Sequence, residues 1–278
     1  MLLPDDAAPS QDLRAAVPAR AAFFAFDGEA WTPNEPGRSP WNPKHTGGVP
    51  TAALLMHAAD QVPSQAPMLP AHITIDILRP VPYGPIRTRG VVTREGRKMQ
   101  MVESHLLSAD GETVARARIM RTRLMDTPLV PAQPVRHPGP DEAVLQPPPE
   151  PPRTMSTIIE TRKFLMPEGA PNGVMWARMV GDLAPGIPVG DTGRLAMFAD
   201  FGTGLAPLPN RDDWTFANVD ISVHLARLPV GEWILVDAES LLQGAGIGLT
   251  SMVMADVHGE FGRAHQTLFI DRPPGWKP

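Results

Sequence analysis

The chain has no cysteine. Disulfides and thiolate metal ligands are therefore excluded, and a reducing, cytoplasmic setting is the expectation. It also lacks any run of about 18 apolar residues, so no membrane-spanning helix is expected. The start, "MLLPDDAAPSQDLRAA", puts two acids after a short apolar opening and does not read as a signal peptide. Basic surplus is missing too. Lys and Arg total 25 against 30 Asp and Glu, a formal charge of −5, which leaves no footprint for nucleic acid. There is no G-x-S-x-G nucleophile elbow and no P-loop. Gly244, Gly246 and Gly248 make a G-x-G-x-G, but between expected strands rather than before a helix, which removes the dinucleotide reading. The histidines show no paired ligand spacing, so neither metal nor cofactor is expected.

What is present begins with proline, at 34 residues of 278. Many fall in "TPLVPAQPVRHPGPDEAVLQPPPEPPRT", residues 127–154, which cannot hold a helix or a central strand and reads as a connector. It divides the chain into parts of similar size, and those parts repeat. "HITIDILRPVPYG" from His72 matches "DISVHLARLPVGEW" from Asp220. Arg79 and Arg227 end the two runs, and 227 − 79 = 148. The Gly111-Glu112 and Gly259-Glu260 pairs give 259 − 111 = 148 again.

Each copy reads as an antiparallel meander. Ile73, Ile75 and Ile77 alternate with His72, Thr74 and Asp76, the period-two signature of a half-buried strand. "PIRTRGVVTRE", "MQMVESHLLS" and "TVARARIMRTRL" continue the first meander; "EWILVDAESLL", "GLTSMVMADV" and "GRAHQTLFI" continue the second. Ahead of the first stands "HTGGVPTAALLMHAAD", residues 45–60. Pro50 suits the first turn of a helix, where its missing N–H is not needed. The alanines, leucines and Met56 then cover every side, so this helix is expected to be buried all round. A glycine pair before it lets another group approach the backbone, and helix-start N–H groups suit a developing oxyanion.

"HTGGVPTAALL", "DISVHLARLPVGEW" and "GRAHQTLFI", in this order and spacing, resemble the TesB-like acyl-CoA thioesterase family across about residues 23–270. The resemblance implies an α+β double hotdog, each antiparallel sheet wrapped around a central helix. The expected units are 20–125 and 154–272, with 126–153 as linker. It implies hydrolysis of an acyl-CoA or acyl-carrier thioester to a free acid by carboxylate-activated water, in a homo-oligomer, most simply a dimer. It places the family's Asp on Asp220 and its Gln on Gln266. The family's Thr follows a Glu-Ser pair, and here Glu239-Ser240 is followed by Leu241 and Leu242, so the hydroxyl is either Ser240, shifted by a residue, or absent. The backbone at Gly48 is the expected oxyanion donor, with Gly47 and His45 on the substrate. The 148-residue offset sends Asp220 to His72 and Gln266 to Arg118, so one reactive centre per chain is expected. Two other readings stay open. The Leu241-Leu242 departure suits a protein that binds a thioester without cleaving it. A hotdog enoyl-CoA hydratase would use an Asp and a His, but Asp220 and His224 lack the Asn-Pro that separates them in that motif.

Overall fold

The computed structural model describes residues 20–130, 137–142, 154–210 and 212–273. In chain order the elements are β1 (Phe24–Phe26), β2 (Trp31–Pro33), α1 (Gly48–Asp60), β3 (Met68–Ile77), β4 (Arg87–Arg94), β5 (Met99–Leu107) and β6 (Thr113–Arg123). Then come β7 (Ile159–Lys163), β8 (Asn172–Met179), α2 (Asp191–Ala199), α3 (Gly202–Leu205), β9 (Thr215–Asn218), β10 (Asp220–Leu225), β11 (Ile234–Leu242), β12 (Ile247–Asp256) and β13 (Gly259–Asp271). β1 and β2 form a small hairpin. The other strands make one antiparallel sheet in the order β4-β5-β6-β3-β10-β13-β12-β11-β8-β7, with β9 added on β13.

The two halves join through one strand pair, β3 with β10. Thr74 lies opposite Ser222 there, and 222 − 74 = 148. The repeat offset and the register therefore coincide at one residue pair, as they must where two copies of a strand meet about a local two-fold axis. Ile73 and Ile75 of β3 and Ile221 and Val223 of β10 are buried on the inner face. The outer face carries the polar alternates, and the His72 and His224 rings stack across the seam at 4.1 Å. Against the inner face lie the helices. α1 packs on β4, β5 and β6, α2 on β10 and β11, and the two helices pack on each other.

α1 forms as its composition dictates. Leu54, Leu55 and Met56 are fully buried, each contributing roughly 1.5–3 kcal/mol. The Thr51 hydroxyl, which would otherwise be a buried orphan, donates to the Gly47 carbonyl at 2.7 Å. At the other end the buried Arg121 guanidinium caps the helix, donating to the Ala59 carbonyl at 2.6 Å and the Val62 carbonyl at 2.8 Å. Residues 137–142 of the proline-rich stretch lie on the outer face. Trp176 donates to the Pro138 carbonyl at 3.0 Å, and His137 bonds Asp237 at 2.9 Å. Residues 131–136 and 143–153 of that stretch and the N-terminal residues 1–19 lie outside the described residues.

Candidate active site

α2 stops at Ala199, and Asp200 is its C-cap with helical backbone angles, φ −71° and ψ −18°. The chain then turns at once into the short α3. This turn is held by a side chain from the sheet. Gln266, fully buried in β13, accepts at Oε1 from the Thr203 N–H at 2.9 Å and the Thr203 hydroxyl at 2.8 Å. Its Nε2 donates to the Asp200 carbonyl at 3.3 Å. A Cβ at Gly202 would lie 2.7 Å from Gln266 Oε1 and 2.6 Å from Met252 Sδ, so a larger residue there would have to displace those side chains.

The Asp200 carboxyl is held between two elements, β9 and α1. Asn218, the last residue of β9, donates from Nδ2 to Oδ1 at 2.7 Å. On the other side is the start of α1. A Cβ on Gly48 would sit 2.5 Å from Asp200 Oδ2 and 2.9 Å from its Cγ, so the glycine is what lets the carboxyl reach the helix end. No side chain caps α1. Its first N–H groups and the positive end of its macrodipole are thus available to a negative group. Burial pushes the Asp200 carboxyl up to about 6 from 3.8, with the Asn218 bond opposing. Among the described residues no cation is paired with it. Gly48 itself is exposed, so solvent has access at this point. Two surface depressions lie elsewhere: one is lined by His224, Phe261 and Arg263, the other by Phe26, Trp31 and His57.

Of the residues expected from sequence, the structure brings Gly48 and Gln266 together around Asp200. Gly47 precedes them as the N-cap of α1, but its N–H is spent on the Gly37 carbonyl at 2.9 Å. A Cβ at Gly47 would meet Pro50 at an ordinary 3.5 Å, so close approach does not require glycine there. His45 lies three residues upstream of Gly48, half-buried, in a loop tied by its own backbone to Ser39 and Asn42. Asp220 lies apart from this group. Gln266 points inward from β13, whereas Asp220 belongs to the outer face of β10. There its Oδ1 accepts from the Thr267 N–H at 2.6 Å. Period two in the strands separates the two side chains by the thickness of the sheet. Ser240 is also apart from the carboxyl. Its hydroxyl bonds that of Thr250 at 2.8 Å, and Thr250 in turn lies opposite Gln266. His224, the candidate hydratase partner of Asp220, stacks on His72 on the outer face.

Sequence reasoning missed Asp200, Asn218 and Thr203. One signal was available. "TGRLAMFAD" closes a helix with an acid, the wrong end of the macrodipole for a carboxylate.

Comparison with known proteins bears on this arrangement. A family model for the acyl-CoA thioesterase C-terminal domain matches residues 131–270. The corresponding N-terminal domain model matches residues 37–122. No curated protein sequence matches the chain. Among solved structures, a hot dog fold protein of unknown function from Alicyclobacillus acidocaldarius is similar with TM-score 0.70 at 17% identity, covering 90% of this chain and 96% of that one. The tesB protein of Mycobacterium avium subs paratuberculosis gives 0.62 at 20% identity, covering 90% and 96%. The acyl-CoA thioesterase II TesB2 of Mycobacterium marinum gives 0.64 at 18% identity, covering 82% and 92%. At such identities these structures speak for the fold, a hot dog.

Proposed function

The chain belongs to the acyl-CoA thioesterase family, and on that premise we propose that Asp200 is the general base that activates water against an acyl-CoA thioester. The observation that carries this reading is the half-buried, desolvated Asp200 carboxyl set against the open N-terminus of α1. A base at about 6 is ionised near neutral pH yet basic enough to accept a proton in the transition state. A thioester carbonyl is electrophilic and needs no protein nucleophile. Water held at Asp200 Oδ2 gives up its proton to the carboxylate as its oxygen bonds to the carbonyl carbon. The oxyanion that forms is stabilised by N–H groups at the start of α1, with Gly48 as our choice of donor. Collapse breaks the C–S bond, and the departing thiolate takes the proton from Asp200. Gln266 fixes the turn that carries the base.

The same reading extends to architecture and assembly. Residues 20–125 and 154–272 are two hotdog units of a double hotdog, and 126–153 is the linker between them. Each chain holds one reactive centre, built from the helix start of the first unit and side chains of the second. Gly47 and His45 lie on the approach to it and contact substrate. The protein is a cytoplasmic homodimer, and light scattering at the monomer mass across a wide concentration range would count against that last point.

The test is a panel of acyl-CoAs followed with a thiol dye. Thiol release that disappears in Asp200→Asn supports the proposal. Tight binding without release would favour a non-hydrolytic thioester binder. Loss of enoyl absorbance without thiol release would favour a hydratase.

A further inference from the structure

The loop that leads into α1, residues 38–47, reads "RSPWNPKHTG". It is closed at its base, where Arg38 bridges Thr46 and the Gly47 N–H donates to the Gly37 carbonyl at 2.9 Å. Above the base it is pinned from within. The Ser39 N–H donates to the His45 carbonyl at 2.9 Å, and the His45 N–H to the Asn42 carbonyl at 3.0 Å. The Arg38 guanidinium donates to the Pro43 carbonyl at 2.8 Å. The connection from β3 to β4 holds the loop from the side. There the Thr46 N–H donates to the Val81 carbonyl at 2.8 Å and the Tyr83 N–H to the Lys44 carbonyl at 2.9 Å. Pro40 and Pro43 fix φ on either side of Trp41. A backbone held this firmly nevertheless leaves Trp41 70% exposed, more than any other aromatic side chain among the described residues. The charge here is of one sign. Residues 36–50 and 78–94, the loop with the start of α1 and the connection with β4, contain no acid, in a chain whose formal charge is −5. Arg38 and Arg79 are paired with Glu35 and Glu112. Lys44 is exposed near the tip beside Trp41 and forms no ion pair among the described residues.

We infer that Trp41 and Lys44 are specificity-determining residues that read the nucleotide end of an acyl-CoA: the indole stacks on the adenine and the ammonium pairs with a phosphate. The inference rests on the reading that the start of α1 receives the thioester, and it makes CoA rather than a carrier protein the bearer of the acyl group. A carrier protein presents the same pantetheine arm without an adenine, and an aromatic platform would then have nothing to stack on. Reach agrees with this. Trp41 lies seven residues before Gly48, at most about 23 Å of fully extended chain, and the closed base of the loop makes the separation shorter. The adenine of CoA hangs from the sulfur on a long arm, so it is met on the rim of a site and not inside it. Base–aromatic stacking needs only an accessible ring face, and a neighbouring cation suits the phosphates that travel with the base. The pinned backbone matters for affinity, because the loop does not have to be ordered when the ligand arrives.

The experiment compares one acyl group carried by CoA and by N-acetylcysteamine, which keeps the thioester and lacks the nucleotide. kcat and KM are measured on both for the wild type, Trp41→Ala, Trp41→Phe and Lys44→Gln. Calorimetry with adenosine 3′,5′-bisphosphate, which has the nucleotide and no thioester, reads binding apart from turnover. Trp41→Ala should raise KM for the acyl-CoA about tenfold with kcat unchanged, the effect of one lost base stack. Trp41→Phe, which keeps a ring, should restore most of it. Lys44→Gln should raise KM about threefold, and less at high salt. On the N-acetylcysteamine thioester these differences should vanish, and bisphosphate affinity should fall by the same factors as acyl-CoA KM rises. Equal losses on both thioesters would make Trp41 a support of the loop and overturn the assignment. So would an unchanged acyl-CoA KM with unchanged bisphosphate affinity, including the case in which Trp41→Ala only dissociates an oligomer in light scattering. If the wild type releases no thiol from any acyl-CoA yet binds the bisphosphate through Trp41, the hydrolytic reading fails and the nucleotide site stands.

Discussion

Replacing Asp200 by Asn should abolish turnover and make the protein more stable at the same time. Burial raises this carboxyl from 3.8 to about 6. That is a difference of about two units, so at pH 8 the ionised group costs the fold on the order of 3 kcal/mol. The sign follows from proton uptake. A folded-state value above the unfolded one means the native state binds the proton more tightly, so the group favours folding fully below about 3.8 and loses that contribution as pH rises through about 6. Asn carries no such penalty and can still accept from Asn218 at Oδ1. It is not free of cost, because its own NH₂ would face the N–H groups at the start of α1, a loss of about 1 kcal/mol or more. A net gain of about 1–2 kcal/mol at pH 8 is expected, shrinking as pH falls from 6 toward 4. Urea unfolding of both proteins at pH 8 and pH 4.5 reads the gain, and thiol release at pH 8 reads the activity. Loss of the base should cost a hundredfold or more in kcat, roughly the general-base contribution. A variant less stable than wild type at pH 8 would refute the desolvation account, and a variant with wild-type turnover would refute the catalytic one.

Three further outcomes can be checked together. Gly48→Ala puts a methyl 2.5 Å from Asp200 Oδ2 at an exposed position; kcat should drop by at least tenfold while the melting temperature changes little. Asp220→Asn leaves a group that can still accept from the Thr267 N–H, on the face of the sheet opposite Gln266, and thiol release should stay within about twofold of wild type. His72 is held below its usual range by burial, with His224 and Arg118 adding to it. A depressed histidine supports the fold above its unfolded value near 6.5, and this support is lost as pH falls through the lower folded-state value. His72→Gln should therefore flatten the acid loss of stability in pH-dependent unfolding and leave turnover intact.

The parts of the molecule that depend on local periodicity were legible in the sequence. The alternation in "HITIDI" and "DISVHL" gave β3 and β10, and the repeat offset located the residue pair at which they meet. The all-round apolar composition after Pro50 gave α1 and its burial. Half of the proposed site was legible for the same reason, since Gln266 lies on a strand and Gly48 at a helix start. Asp200 was not, because what makes it special is tertiary. Its environment is the N-terminus of another helix about 150 residues earlier in the chain, and no period reports such a contact. Asp220 was preferred because the likeness of "DISVHLAR" ran through it. Yet the alternation that identified β10 puts Ile221 and Val223 inside and Asp220 outside, so the pattern itself argued for the outer face.

The local two-fold axis also explains why one reactive centre, not two, is the economical reading. Asp200 closes α2 and meets the start of α1; Asp60 closes α1 and meets the start of α2. The Thr192 hydroxyl donates to the Asp60 carboxylate, and a Cβ on Gly190 would lie 3.6 Å from its Oδ2. Asp60 is thus the counterpart of Asp200, and 200 − 60 = 140, an offset that strand-based comparison to His72 and Arg118 does not find. Beside the end of α1, Arg121 of β6, which pairs with Gln100 of β5, takes the place that Gln266 of β13 takes beside the end of α2. Where the second half has an amide, the first has a guanidinium. It is buried, it lies 3.8 Å from the Asp60 carboxylate, and its donors are spent on the Ala59 and Val62 carbonyls and on Gln100. A permanent cation there cannot take part in proton transfer. The first-half copy is therefore a clamp between helices. Arg121→Met should cost about 2–4 kcal/mol in unfolding free energy, since it strands two helix-end carbonyls and a carboxylate, and should leave kcat unchanged in the folded fraction. If instead it silences turnover as Asp200→Asn does, the Asp60 end of the helix pair takes part in the chemistry and the single-centre reading fails.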